Sequence, residues 1–354
     1  MDFDLSDDQL ALQQGARELL DASASSTRLR AHTETDAGYD AALWSAMADQ
    51  GWLGIEIAAS RGGVGLGAVE VAVLCEELGR HAAAAPFVST VLAIDAFGAA
   101  GEDDWVDRLV SGTSLACVAW DATAPVPYAP SADVAVVIAD DGVYAMEMPD
   151  RPRRQPAMDL TREVGWLAFD SASARKLGGV EARTRLLDRG ATFCAADMLG
   201  SASRALDFAV EYATVRVQFG RTIAKFQAVQ QMLAEAAGHL AAATAAADAT
   251  LDADDSELAL VVAVAKARVG EAAGRVAAIA HQVHAAMGFT QEHPLHYATR
   301  RLWSWRDEFG SEPYWQRQVG AFVCGLGGEA LWPLVADGRG AGAFALSAPG
   351  GPRR

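Results

Sequence analysis

The sequence predicts a mainly helical protein with a small β domain set between two helical blocks, and three observations carry that prediction. Apolar residues recur at helical spacing through the first hundred residues and again from Leu187 onward. Between them, from about Thr113 to Gly179, the pattern changes to short runs rich in valine, isoleucine, tryptophan and phenylalanine. The chain has 354 residues, 51% hydrophobic and 21% charged, which fits a folded protein of two or three packed units. The expected divisions are an N-terminal helical domain at 1–112, a central β domain at 113–183, a C-terminal four-helix bundle at 184–335 and a flexible tail at 336–354.

The first helix is announced by Ser6 and Gln9, three apart, which suit a capping box: the hydroxyl accepts an orphan backbone N–H and the amide reaches back. A second helix is expected over Asp40 to Gln50, with Leu43, Trp44 and Met47 on one face. Gly62-Gly63-Val64-Gly65-Leu66-Gly67 superficially resembles a dinucleotide loop. It lacks the flanking strand, helix, strand order, so it reads as an interhelical turn. Four strands are expected at Leu115–Trp120, Asp133–Ala139, Val143–Met148 and Val164–Phe169, with Asp141-Gly142 as a hairpin turn. Three long helices follow: one through Gln218, one from Phe226 to about Leu251, and one from Ser256 to Met287. The alanine-rich middle helix reads as a packed bundle helix, because alanine has the best helix propensity and permits close approach.

Composition excludes several functions. The formal charge of −17 and the lack of a basic run argue against a nucleic-acid partner. Cys75, Cys117, Cys194 and Cys324 lie far apart, with no C-x-x-C pair, and read as reduced thiols in a cytoplasmic protein. The acidic N-terminus is unlike a signal peptide and no run of about 20 residues is uniformly apolar, so no membrane association is expected. His281 with His284, and His293 with His296, repeat a spacing of three. No carboxylate pattern accompanies them, and no metal is expected. Trp303, Trp305, Trp315 and Trp332 read as fillers of helix interfaces rather than as the wall of a pocket for a flat polycyclic substrate. A Ser-His-Asp set and a nucleophile elbow are both missing, so hydrolysis has no support.

The most informative stretch is YATVRVQFGRTIAKFQAVQQM, Tyr212 to Met232. Arg216, Gln218, Phe219, Gly220 and Arg221 place a forked donor, an amide, an aromatic ring and a glycine within six residues. Those groups suit a dinucleotide: two parallel bonds to phosphate, an orienting amide, and a ring to cover a flat heterocycle. The R-x-Q-F-G-x-x-I-x-x-F-Q-x-x-Q pattern resembles the signature of the flavin-dependent acyl-CoA dehydrogenase family. GWLGIEIAASRGGVGLGAVEVAVLCEELGR resembles that family's N-terminal helical domain, and HQVHAAMGFTQEHPLHYATRRL its later adenosine-side segment.

The resemblance implies a flavoprotein that removes the α hydrogen of an acyl-CoA as a proton and passes the β hydrogen to FAD as a hydride. It implies an electron-transfer flavoprotein or similar acceptor. It also implies that Arg216, Gln218 and Phe219 contact FAD across a subunit interface, with Gln282 near the adenosine. Three departures stand against the pattern. WDATAPVPYAPSADVAVV carries neither the T-E-P, A-G-S-D loop nor a W-I-T-N strand for the flavin ring. Ala285 and Ala286 replace two adjacent glycines. At the position of the catalytic glutamate an ungapped match puts Phe309, and the alternative position falls near Gly190 and Ala191. Glu308 is one residue out, and a one-residue shift in the loop would make it the base.

The departures resemble the shorter, non-catalytic partner in bacterial α2β2 members that act on steroid-derived acyl-CoA, as does the DLTREVGWLAFD segment. Three readings follow: such a subunit in a heterotetramer, a self-sufficient homo-dimer or tetramer with Glu308 as base, and a redox-inactive member with a structural or non-oxidative role.

Overall fold

The computed structural model describes residues 5–345. Six helices come first: α1 (Asp7–Ser23), α2 (Ser26–Thr33), α3 (Ala41–Asp49), α4 (Ala68–Arg80), α5 (Phe87–Ala99) and α6 (Asp103–Val110). The capping box at Ser6 and Gln9 forms with both of its bonds. Asp40 caps α3 by accepting from the backbone N–H groups of Ala42 and Leu43, and Leu43, Trp44 and Met47 are buried as the helical spacing requires. The glycine-rich segment is a tight loop leading into α4; the backbone N–H groups of Gly63, Val64, Gly65 and Leu66 bond to carbonyls of residues 54 to 58.

The β region holds β1 (Ala116–Ala119), β2 (Val126–Pro127), β3 (Val134–Ala139), β4 (Gly142–Glu147), β5 (Arg154–Gln155), β6 (Val164–Gly165) and β7 (Arg175–Gly178). They form a four-stranded sheet in the order β1-β3-β4-β7 and a three-stranded one in the order β2-β6-β5. Strand alternation divides β3 between two cores: Val134, Val136 and Ile138 join the main core, whereas Ala135 and Val137 pack with Cys117, Ala119, Val126 and Met148 in a second. Two expectations need correction here. Ala139 pairs with Gly142, so the hairpin turn is Asp140-Asp141, one residue earlier than expected. The strand expected over Val164–Phe169 pairs only at Val164 and Gly165; of the residues before it, Asp159 and Arg162 are committed to the buried ion pairs described below.

The remaining elements are α7 (Val180–Val215), β8 (Val217–Gln218), β9 (Arg221–Thr222), α8 (Gln227–Asp248), α9 (Leu258–His284), α10 (Leu295–Trp305), α11 (Glu312–Leu326) and α12 (Gly328–Asp337). Helix α7 is the most widely shared packing partner, in contact with α4, α8, α9 and α10. Gly200 lets α4 approach closely: a Cβ there would overlap the Glu76 carbonyl. Part of the stretch expected as a tail is packed, since Ala341 and Phe344 are buried and Phe344 meets Phe322 edge-on at 5.3 Å. Residues 346–354 lie outside the described residues. No single helix among the described residues is long and apolar enough to cross a membrane.

Candidate functional site

The segment from Arg216 to Arg221 is not the end of a helix, as the periodicity suggested. Helix α7 stops at Val215, and β8 and β9 form a hairpin with Gln218 opposite Arg221. Phe219 (φ 51°) and Gly220 (φ 79°) make its two-residue tip, both left-handed as a type I′ turn requires. Glycine adopts that conformation freely, whereas phenylalanine does so at a cost of about 1–2 kcal/mol. The Phe219 side chain is 92% exposed and reaches only Phe226, edge-on at 6.2 Å. Arg216 and Gln218 are also exposed, and their side chains make no hydrogen bond among the described residues. Arg221 lies over the Phe226 ring at 4.2 Å. The hairpin therefore presents two polar donors and an aromatic ring to solvent.

Gln282 is exposed near the end of α9. The root of the hairpin and this segment are joined by Tyr212, whose ring stacks on His284 at 4.7 Å. His281 stacks on Phe289 at 4.8 Å and on Trp303 at 5.5 Å, and bonds Thr299 at 2.9 Å. Burial pushes His281 and His284 below the ordinary histidine range, so they are neutral packing groups. Ala285 has φ 50° and ψ −135°, a conformation suited to glycine. The backbone thus keeps the bend for which the pattern expects glycine.

The position where the family pattern expects a base has opposite character. Phe309 is buried, and its ring occupies the notch left by Gly190, where a Cβ would overlap it. The two alternative base positions thus meet in space, and both are inert. Trp120 lies 6.5 Å from the Phe309 ring, centroid to centroid. The cavity beside them, lined also by Arg183, Tyr314 and Trp315, holds about 20 Å3. Small-molecule pockets occupy roughly 300–1,000 Å3, so a flavin ring does not fit here without rebuilding these side chains.

Glu308 points elsewhere, to Arg162, with an oxygen 2.8 Å from the guanidinium. Arg162 is buried and also donates to Ser304 at 2.6 Å. Burial opposes its charge, but Glu308 and Asp159 outweigh burial and raise its pKa. The backbone of this loop is fixed at four further points. Buried Lys266 donates to the carbonyls of Arg306 at 3.0 Å and Gly310 at 2.9 Å, Cys194 Sγ to Trp305 O at 3.2 Å, and Trp315 Nε1 to Phe309 O at 3.0 Å. A one-residue shift that brought Glu308 to the place of Phe309 would disrupt these bonds.

The sequence reading missed the buried network behind the loop. Arg301 makes two bonds to Asp197, at 2.8 and 2.6 Å, and also reaches Thr161 and the Ala83 carbonyl. Asp159 accepts from Trp305 Nε1 and from the Thr161 backbone. One guanidinium thus ties the N-terminal helices, the β region, α7 and α10 together. The signal was the charge-rich DLTRE run before a short strand, a composition that an ordinary exposed loop shares.

A helical block, a small β region and a helical bundle, with a phosphate-suited hairpin at a helix break, define a flavin-dehydrogenase type of architecture. Comparison with known proteins makes this specific. Residues 6–113 match the model for the acyl-CoA dehydrogenase N-terminal domain and residues 178–313 that for the acyl-CoA dehydrogenase C-terminal domain. The chain belongs to the acyl-CoA dehydrogenase family, whose members use FAD. It is 29% identical over 300 residues to acyl-CoA dehydrogenase IpdE2 of Mycolicibacterium smegmatis, covering 84% of this chain and 93% of that one. Among solved structures, a Tcur3481-Tcur3483 steroid acyl-CoA dehydrogenase variant superimposes with a TM-score of 0.81 at 26% identity, covering 90% of this chain and 98% of that one. A chain of the ChsE4-ChsE5 complex from Mycobacterium tuberculosis gives 0.83 at 24% identity, covering 92% and 99%.

Proposed function

We propose that this chain is the non-catalytic, flavin-bridging subunit of a heteromeric acyl-CoA dehydrogenase that desaturates a bulky, steroid-derived CoA thioester at the α,β position. The observation that carries the reading is the filled site: Phe309 in the Gly190 notch, under Trp120, with a cavity of about 20 Å3. The exposed hairpin supplies the complementary half. Arg216 and Gln218 bind the diphosphate side of FAD held by a second chain, Phe219 covers its face, and Gln282 lies toward the adenosine. The flavin, when bound, supplies the hydride acceptor; Glu308 serves as the counter-ion of Arg162. The substrate class rests on similarity to a protein described as a steroid acyl-CoA dehydrogenase, and the heteromeric assembly on similarity to a chain of a two-protein complex. An electron-transfer flavoprotein is the proposed acceptor. Four free thiols support a reducing, cytoplasmic location.

The test is to purify the chain alone and with the product of a neighbouring dehydrogenase gene, then record visible spectra and CoA-thioester dehydrogenation. A colourless chain that becomes part of a yellow, active complex on co-expression supports the reading. A yellow, active homomer overturns it. In the complex, Glu308→Gln leaves turnover within twofold; a loss of a hundredfold or more would make Glu308 the base.

A further inference from the structure

A second cavity lies on a different part of the molecule, between the α1–α2 turn, the C-terminal end of α4, the middle of α7 and the start of α10. Its volume is about 350 Å3, within the range of small-molecule pockets, and it shares no lining residue with the filled site or with the hairpin. In a chain of formal charge −17, three arginines line it: Arg17, Arg80 and Arg204.

These cations are not equivalent. Arg17 is turned to the buried Glu77, through Nε at 3.2 Å and Nη2 at 2.5 Å. Arg80 is held by Ser203 at 3.0 Å and Asp207 at 2.5 Å. The ring nitrogens of His81 meet the Glu77 carbonyl and Asp21, which is the acid lining the cleft. Arg204 differs. Its side chain makes no hydrogen bond among the described residues, its carboxylate neighbour Glu211 stands off at 3.7 Å, and its guanidinium lies over the Phe208 ring, 4.0 Å from the centroid. Phe208 is in turn braced edge-on by His293 at 5.5 Å. A guanidinium held by a ring with its donors free is preorganised for an anion. With one such fork in a cleft also lined by Leu29, Pro294 and Tyr297, the complement is a single negative charge on a compact organic body. A phosphate dianion would ask for more free donors than the cleft retains.

We propose that this cleft binds an organic monocarboxylate, clamped by Arg204. The site does not depend on the flavin reading, because none of its residues belongs to the hairpin or the filled site. The test is calorimetric titration of the full chain, in whatever assembly it is isolated, with 2-naphthoate as probe and naphthalene-2-methanol as neutral control. One saturable site per chain is expected, with the alcohol at least tenfold weaker. Arg204→Gln weakens naphthoate at least tenfold and leaves the alcohol unchanged. Ser26→Trp, at an exposed position lining the cleft, abolishes binding of both and decides the matter if the first variant is unstable. Equal binding of acid and alcohol, unchanged affinity in the variants, or no saturable site overturns the proposal. An unchanged visible spectrum of any flavin-bearing complex in Arg204→Gln separates this outcome from failure of the subunit reading.

Discussion

Two regions of this chain, the Phe309 loop and the Phe219 hairpin, differ sharply in how far their side chains are packed. Around Phe309 the chain is closed: aromatic rings fill a notch that only glycine leaves open, and the carbonyls of Trp305, Arg306, Phe309 and Gly310 each have a donor. At the hairpin it is open: Phe219 is strained in the left-handed region and 92% exposed, with polar neighbours left unpaired. Phe309 is held in the same left-handed region (φ 50°), but its ring is buried, whereas at Phe219 the strain is matched by no burial. A closed region reports on stability and an open one on binding, and substitutions separate the two.

Phe309→Ala should give the largest effect. Removing a buried phenyl ring from a well-packed site costs about 3–5 kcal/mol, read as a lower denaturation midpoint, while flavin content of a co-purified complex stays constant. Loss of flavin without loss of stability would mean that the region is an active site after all. Arg216→Ala should do the reverse. The side chain is exposed, so the melting temperature is unchanged, but a charge-assisted bond worth about 1.5–3 kcal/mol is lost. Flavin retention then falls roughly ten- to a hundredfold; unchanged retention would remove the hairpin from the cofactor site.

Much of this contrast was legible in the sequence, for reasons that differ by region. The three-part order is visible because helical and strand periodicities are long-range patterns, and Ser6 and Asp40 cap their helices through bonds spanning two or three residues. The R-x-Q-F-G pattern singled out the segment that carries the family resemblance, but periodicity extends the helix through Gln218, where the structure has a hairpin. A two-residue hairpin tip is fixed by φ angles at Phe219 and Gly220, and a helical apolar pattern running up to it conceals the break. The meeting of Phe309 with Gly190 joins residues 119 apart, and Arg301 with Asp197 joins residues 104 apart. No local spacing encodes such pairs. The cleft around Arg204 was invisible for the same reason, since its walls come from five separate helices.

The closed region also contains a buried carboxylate. Asp188, two residues before Gly190, is buried with one carboxylate oxygen unpaired, and burial pushes its pKa up to about 7. A folded-state pKa above the unfolded value means that the native state holds the proton more tightly. Its stabilising contribution is full below about pH 4 and is lost as pH rises through about 7. Asp188→Asn removes this loss, so the variant should exceed the wild type by roughly 1–2 kcal/mol at pH 8 and match it near pH 4. Parallel stability curves across that range would place a partner on the carboxylate.

The smallest effect lies in the open region and has the opposite sign to most substitutions. Ala285 is exposed and holds a glycine-like conformation at φ 50°, ψ −135°. Relief of that strain by Ala285→Gly is worth about 1–3 kcal/mol, offset in part by the greater freedom of glycine in the unfolded chain. A net gain of about 1 kcal/mol, or a rise of about 2 °C in melting temperature, is expected. If the variant instead melts lower, the Ala285 methyl group is making a packing contact that outweighs the strain. If it melts higher and a flavin-bearing complex also retains flavin better, the alanine had been holding the backbone away from its adenosine contact. A higher melting temperature with unchanged retention would show that strain on this segment is borne by the chain alone.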